Sequence, residues 1–232
     1  MEFKSIASGS SGNAYLLDDG RTKLLIEAGI SYKELQKRIC FRTHELAGCL
    51  ISHEHKDHSK AAKQLVKYGV NVYCSGGTAQ TLGCDEVHII EQKQEFSVGS
   101  YRILPFETFH DAAEPVGFLI RSETTGDKLL FATDTVNLAY VFDGLTLVAL
   151  ECNYDRRILE RNERINDKLK KRIANTHFEV DNVCEYLKKL DLSNVRNIYL
   201  LHLSNACSNE AAFVHKIETL SSGIKVIACQ RG

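Results

Sequence analysis

The chain has 232 residues, 44% of them hydrophobic and 25% charged, with a formal net charge of −1. That is a globular balance, and it excludes a strongly basic nucleic-acid coat protein while leaving room for a local basic groove. With only 2 prolines and no Pro/Gly/Ser-rich linker, the length predicts one compact domain over 1–232.

The opening stretch, MEFKSIASGSSGN, has no apolar core of signal-peptide length, and no segment is long enough to span a bilayer. The 8 cysteines form no CxxC pair, and Cys49 and Cys229 fall in apolar strand-like runs. They read as reduced, mostly buried thiols, which argues against a cysteine-built zinc site and predicts a cytoplasmic protein with no membrane partner.

In chain order, a Gly/Ser loop, Ser8-Gly9-Ser10-Ser11-Gly12-Asn13, follows the first strand. It is either a flexible turn or a cradle for phosphate oxygens, with Ser8, Ser10, Ser11 and Asn13 as candidate substrate contacts. Strands at 14–17 and 23–26 flank Asp18-Asp19-Gly20, a hairpin signal. A helix over 32–39, a strand at 48–52, a helix after Ser59, a strand at 70–74, a short helix at 78–82 and a strand at 87–90 follow. Residues 101–109, 116–121, 128–132 and 145–150 are strand-like. Helices are predicted over 156–172 and 179–190 with a break near Asn175-Thr176, then a strand at 197–201, a helix at 209–220 and a strand at 224–228. Strands dominate each half with helices between them, which predicts an α/β fold of two packed sheets with helices outside.

The densest chemistry is SHEHKDHSK, residues 52–60, where His53, His55, Asp57 and His58 fall within six positions. The run Gly48–Ser52 before it reads as a buried strand, and the apolar spacing after Ser59 is helical. The cluster therefore sits where a core strand ends and a helix begins. His53 and His55, two apart on extended chain, project to one side. Imidazole and carboxylate suit zinc and other first-row divalent metals. Three later strands end in the same residue types, at His110, Asp134 and His202. Together these are seven nitrogen and oxygen ligands at strand termini.

These residues resemble the metallo-β-lactamase-fold hydrolases, whose H-x-H-x-D-H motif stands here as His53-Glu54-His55-Lys56-Asp57-His58, followed in order by His110, Asp134 and His202. The resemblance covers almost the whole chain. It implies an αβ/βα four-layer sandwich of two mixed sheets with helices outside, and two divalent metal ions, of zinc, manganese or iron type, at one edge. His53, His55 and His110 would hold the first ion, Asp57, His58 and His202 the second, and Asp134 both. Two such ions about 3.5–4 Å apart can share a hydroxide active near neutrality and clamp an in-line displacement. The family has aspartate before Ala-Gly where this chain has Glu27-Ala28-Gly29. Glu27 would order the ligand loop from behind, with one more methylene to accommodate.

Further stretches resemble the YycJ branch of that fold, whose members act on DNA: the SGSSGN loop, Phe109-His110-Asp111-Ala112-Ala113-Glu114-Pro115-Val116-Gly117, and Leu201-His202-Leu203-Ser204-Asn205. The chain departs from the branch at Tyr154, where histidine is usual, and at Thr176-His177-Phe178. Glu151 and His177 resemble the pair that phosphodiesterases of this fold add as orienter and proton donor, which a poor alkoxide leaving group needs. Segment 156–172 carries eight basic residues against Glu160, Glu163 and Asp167; it is a solvated helix face or a track for a nucleic-acid backbone.

The resulting expectation is a metal-dependent phosphodiesterase, a DNA exonuclease or nuclease, with Asp57, Glu151 and His177 at the reaction centre. The alternatives are a cyclic small-molecule phosphodiesterase of the same fold, a thioester or lactam hydrolase, and a non-catalytic nucleic-acid-binding protein.

Overall fold

The computed structural model describes residues 1–229; the last three residues of the expected domain, 230–232, lie outside the described residues. The strands belong to two mixed sheets, of six and seven strands, with helices alternating with strands along the chain, an α/β fold as the sequence predicts. The chain gathers into two compact units, Met1–Glu107 with Ala112–Asp127, and Thr108–Asp111 with Lys128–Cys229. All eight cysteines are free thiols and seven are buried. Among the described residues no helix is long and apolar enough to cross a membrane.

In the first unit, β1 (Glu2–Ala7), β2 (Ala14–Asp18) and β3 (Lys23–Ile26) pair antiparallel. From β3 the sheet continues parallel through β4 (Leu46–Leu50), β5 (Val72–Cys74) and β6 (His88–Ile89). The parallel strands need crossovers, which α1 (Tyr32–Arg38), α2 (Lys56–Ser59), α3 (Ala62–Lys67) and α4 (Gly76–Leu82) occupy. Leu25, Cys49 and Val72 from the sheet, with Ile51 just past β4, pack with Leu35 of α1 and Leu65 of α3. β7 (Phe96–Val98), β8 (Tyr101–Glu107) and β9 (Val116–Ser122) form an antiparallel meander in the same unit.

Asp19, at the tip of the β2–β3 hairpin, ties that hairpin to the meander. Its carboxylate accepts from the hydroxyls of Ser100 (2.6 Å) and Ser122 (2.7 Å) and from the amides of Arg21 (3.0 Å) and Thr22 (2.8 Å). Burial alone would raise this carboxyl, but the four donors hold it far below the usual carboxylate range. Asp19→Ala leaves those donors without an acceptor, and is expected to cost about 3 kcal/mol in urea unfolding at neutral pH. With a depressed folded pKa, the unfolded chain takes up the proton first as acid is added. The contribution is therefore whole above about pH 4 and drains as pH falls toward the folded value. The gap between wild type and variant should close over that acid range.

In the second unit, β10 (Lys128–Ala132), β11 (Leu147–Glu151), β12 (Asn197–Leu201) and β13 (Lys225–Ala228) are all parallel, in that order. Every residue of β11 is buried, and every residue of β12 after Asn197. This is why they read as continuous apolar runs, not alternating ones. The strands are covered by helices including α7 (Val180–Leu187) and α8 (Glu210–Leu220). Their register pairs Ala132 with Leu150 and Glu151 with Leu201, so the chain leaves all three strands at one edge. Ligands in parallel sheets are held at such carboxyl ends.

The single helix expected over 156–172 is two helices, α5 (Arg156–Arg161) and α6 (Asp167–Thr176). Asn162 ends α5 in an extended conformation and donates to the Ala206 carbonyl at 3.0 Å. Asn166 starts α6 by accepting from the Leu169 amide at 2.9 Å. Asparagine side chains satisfy backbone groups that a continuous helix would leave them no access to, so each acts as punctuation. The hairpin closes on Tyr154, Leu159 and Cys207, with Ile165 and Ile173 packed beside them.

Candidate functional site

In the first unit the ligand loop leaves β4 through Ile51-Ser52 and enters α2 at Lys56, so Asp57 and His58 lie on a helix while His53 and His55 precede it. The ring centroids of His53 and His55 are 4.7 Å apart, and those of His53 and His58 4.2 Å. The loop is clamped by backbone. Asn13 N donates to Asp57 O at 2.7 Å, and Ala28 N to His58 O at 2.8 Å. Gly29 permits this approach: a Cβ there would stand 1.6 Å from the Asp57 carbonyl oxygen.

Glu27 sits behind the loop, fully buried, with a left-handed φ of 65°. Its Oε1 accepts from Ser52 N at 3.2 Å and its Oε2 lies 3.6 Å from His58 Nδ1. Burial pushes this carboxyl up, while the neighbouring His58 pulls it back. With Nδ1 facing Glu27, His58 turns Nε2 to within 3.5 Å of Asp57 Oδ2. His53 Nδ1 likewise pairs with Ser52 Oγ at 2.8 Å. Each ring is thus oriented through its Nδ1, as metal-binding histidines are.

In the second unit Asp134, Glu151, His177 and His202 each offer a ligand atom, all within 4.8 Å of one another. Asp134 (φ 44°) and His202 (φ 51°) share the left-handed backbone of Glu27, a conformation residues of these types seldom adopt without a local reason. The two Asp134 oxygens face different histidines: Oδ1 is 2.9 Å from His202 Nδ1, and Oδ2 is 3.6 Å from His110 Nε2. His110 Nδ1 donates to the Thr176 carbonyl at 2.8 Å, which turns Nε2 toward the site, and burial lowers its pKa, favouring the neutral ring.

Glu151, fully buried at the end of β11, is held at four points. Oε2 accepts from Thr135 N (2.9 Å) and Phe178 N (3.0 Å). Oε1 lies 2.6 Å from His177 Nδ1 and 3.1 Å from His202 Nδ1. Segment 153–154 pairs with 178–180, through Asn153 N to Phe178 O (2.9 Å) and Val180 N to Tyr154 O (3.0 Å), which brings His177 beside Glu151. His177 is the C-cap of α6, with a side chain 12% exposed. Burial disfavours its charged form, but the Glu151 carboxylate outweighs that and raises its pKa. Imidazoles and carboxylates without cysteine form a donor set that fits divalent cations.

The predicted phosphate loop divides. Ser10 and Ser11 are exposed, whereas Ser8 and Asn13 are fully buried. Ser8 Oγ pairs with the Tyr15 hydroxyl at 2.8 Å, and Asn13 Nδ2 lies 3.1 Å from both Asp57 O and His58 Nε2. The Ser8 and Asn13 side chains therefore brace the fold and the ligand loop, while Ser10 and Ser11 face outward and the amides of Gly9, Gly12 and Asn13 donate within the protein. Residues the sequence did not single out also shape the site. Asn153 Nδ2 donates to His202 O at 2.8 Å, and Arg172 grips Asp111, next to His110, with Nε at 2.7 Å and Nη2 at 3.2 Å. Asp111 lies inside a stretch noted for other residues, Asn153 lies between the noted Glu151 and Tyr154, and the Thr176 carbonyl has no side-chain signature at all.

Residues 22–203 match the Beta-lactamase superfamily domain. The chain is 32% identical over 231 residues to the exodeoxyribonuclease YycJ of Bacillus anthracis, covering 88% of this chain and 83% of that one. It is 29% identical over 221 residues to the exodeoxyribonuclease WalJ of Streptococcus pneumoniae, covering 88% and 82%. Among solved structures, the metallo-β-lactamase fold protein YhfI of Bacillus subtilis superposes with a TM-score of 0.72 at 15% identity, covering 99% of this chain and 97% of that one, a likeness of fold. With its H-x-H-x-D-H loop and later histidines and aspartate in family order, this chain belongs to the Beta-lactamase superfamily, the metallo-β-lactamase-fold hydrolases, in the branch that includes YycJ.

Proposed function

We propose that the protein is a metal-dependent phosphodiesterase that degrades DNA from its ends, as its relatives' names describe for them. The observation that carries this reading is the Glu151–His177 contact at 2.6 Å, because it equips a hydrolase of this fold with a proton donor. Lactam and thioester cleavage have less use for one, whereas an alkoxide leaving a phosphodiester needs it. His53, His55 and His110 would hold one divalent cation, Asp57, His58 and His202 a second, and Asp134 both; zinc, manganese and iron all suit these donors. Two cations so held would supply an activated water at neutral pH and offset charge on the phosphodiester oxygens. We take residues 1–232 as one functional domain, since the family match runs through both compact units, and place it in the cytoplasm.

The chain's own groups do the rest. Glu151 holds His177 by Nδ1, so the proton for the departing oxygen sits on Nε2, and the amides of Thr135 and Phe178 keep Glu151 from swinging with it. The side chains and amides of Ser10 and Ser11 would offer hydrogen bonds to non-bridging phosphate oxygens. Glu27 acts through His58. Glu27→Gln is expected to weaken metal binding about 10–100-fold, measured by competition against a chromogenic chelator, with Glu27→Asp restoring part of the loss.

The test is an assay of metal-loaded protein on end-labelled single- and double-stranded DNA and RNA, with a cyclic phosphodiester alongside. Mononucleotides released from DNA ends are expected. Turnover of the cyclic compound alone would replace DNA by a small phosphodiester as substrate.

A further inference from the structure

One cavity of the second unit is used by none of the chemistry above. It measures about 400 Å³ and is lined by Tyr154, Arg156, Glu160, Lys170, Lys171 and Asn175, among others, three cations against one carboxylate. Two of its lining residues lie close in sequence to the acid–base pair. Tyr154 lies three residues beyond Glu151, on the segment that pairs with 178–180, and Asn175 lies two residues before His177. The cations differ in what they are committed to. Lys170 Nζ donates to the Glu160 carbonyl at 2.8 Å and staples α6 to α5. Arg156 and Lys171 are exposed. Seven of the eight basic residues in 156–172 form no ion pair among the described residues, the exception being Arg172 on Asp111. A helical hairpin that leaves its positive charge unneutralised around a concave surface attracts a polyanion.

We propose that this cavity is a backbone subsite that binds a non-scissile phosphate of the DNA strand, with Arg156 and Lys171 as its direct contacts. The inference rests on the DNA reading above and adds where the strand is held beyond the cleaved bond. Arginine gives a phosphate two parallel hydrogen bonds and lysine a point charge, the pairing expected for a contact that reads no sequence. Glu160, on the same rim, keeps the cavity from holding a lone anion as firmly as a strand that is anchored elsewhere too.

The experiment uses the full chain as wild type, as Arg156→Ala/Lys171→Ala and as Lys168→Ala, a basic residue of α6 that does not line the cavity. Binding of a fluorescent single-stranded oligodeoxynucleotide is followed by anisotropy across salt concentrations, and turnover of bis(p-nitrophenyl) phosphate is measured in parallel. The double variant is expected to bind the oligonucleotide about tenfold more weakly at low salt, with a salt slope shallower by about 1.4, or 0.7 for each lost contact on a single strand. Its catalytic loss should be far larger on the oligonucleotide than on the nitrophenyl ester, and Lys168→Ala should stay near wild type. Wild-type affinity and slope in the double variant would overturn the subsite, as would an equal loss in Lys168→Ala. A wild-type protein that hydrolyses the ester yet binds no oligonucleotide would instead overturn the DNA reading, and the subsite with it.

Discussion

Asp134→Asn is expected to abolish hydrolysis of DNA and of bis(p-nitrophenyl) phosphate alike, by roughly three orders of magnitude or more, and to lower the metal content of the protein below two equivalents. The size follows from the several kcal/mol of transition-state stabilisation that a bound cation contributes, at about 1.4 kcal/mol for each tenfold in rate. Asp134 is the choice because its two oxygens address different histidines, Oδ1 at 2.9 Å from His202 and Oδ2 at 3.6 Å from His110. A carboxylate placed this way could serve two cations at once, and an amide of the same shape would not carry the charge to hold them. Asparagine is preferred to alanine for a backbone reason. The φ of 44° at Asp134 lies in the left-handed region, which asparagine tolerates and alanine does not, so the variant separates lost ligation from lost folding. Metal content by elemental analysis and circular dichroism on the same sample give both readouts. A variant that keeps two equivalents of metal and activity within about tenfold of wild type would remove Asp134 from the centre.

The parts of this protein legible in its sequence are those whose physics is local. His53, His55, Asp57 and His58 announce themselves because the turn from β4 into α2 forces neighbours in sequence to be neighbours in space. Their ring centroids lie 4.2–4.7 Å apart for that reason. β11 and β12 are legible because strands buried on both faces admit almost nothing but apolar residues. The break at 162–166 is a borderline case. Asn162 and Asn166 were there to be read, but the basic and apolar spacing of 156–172 continues across them and outweighs two caps. Other features depend on groups that carry no sequence signal. His110 is oriented by the Thr176 carbonyl, a backbone atom any residue would provide. The inward turn of Ser8 and Asn13, against the outward turn of Ser10 and Ser11, is decided by Tyr15 and the ligand loop, not by the residues themselves. Glu27, Asp134 and His202 look like ordinary residues at strand ends, yet all three adopt positive φ, which tertiary contacts impose. The site is thus legible as a list of donors and much less so as a set of orientations, and the orientations decide which nitrogen each histidine presents.

The second large effect separates chemistry from scaffold. His177→Ala is expected to slow cleavage of DNA by about 10²–10⁴-fold while slowing cleavage of bis(p-nitrophenyl) phosphate far less, because a nitrophenolate leaves without being protonated and a sugar alkoxide does not. Metal content should stay at the wild-type level. Glu151→Gln makes the complementary case. Its amide can still meet His177 Nδ1, but the charge that raises the His177 pKa is gone, and Oε2 no longer stands as a carboxylate before the Thr135 and Phe178 amides. It should therefore lose activity on DNA as His177→Ala does, and because it also faces His202 Nδ1 at 3.1 Å it should disturb the metal centre as well, which His177→Ala should not. Comparing the two variants on both substrates places the proton donor on one residue and its orientation on the other. Equal losses on the two substrates for His177→Ala would assign His177 to holding the site together, and leave the departing oxygen to be protonated by water.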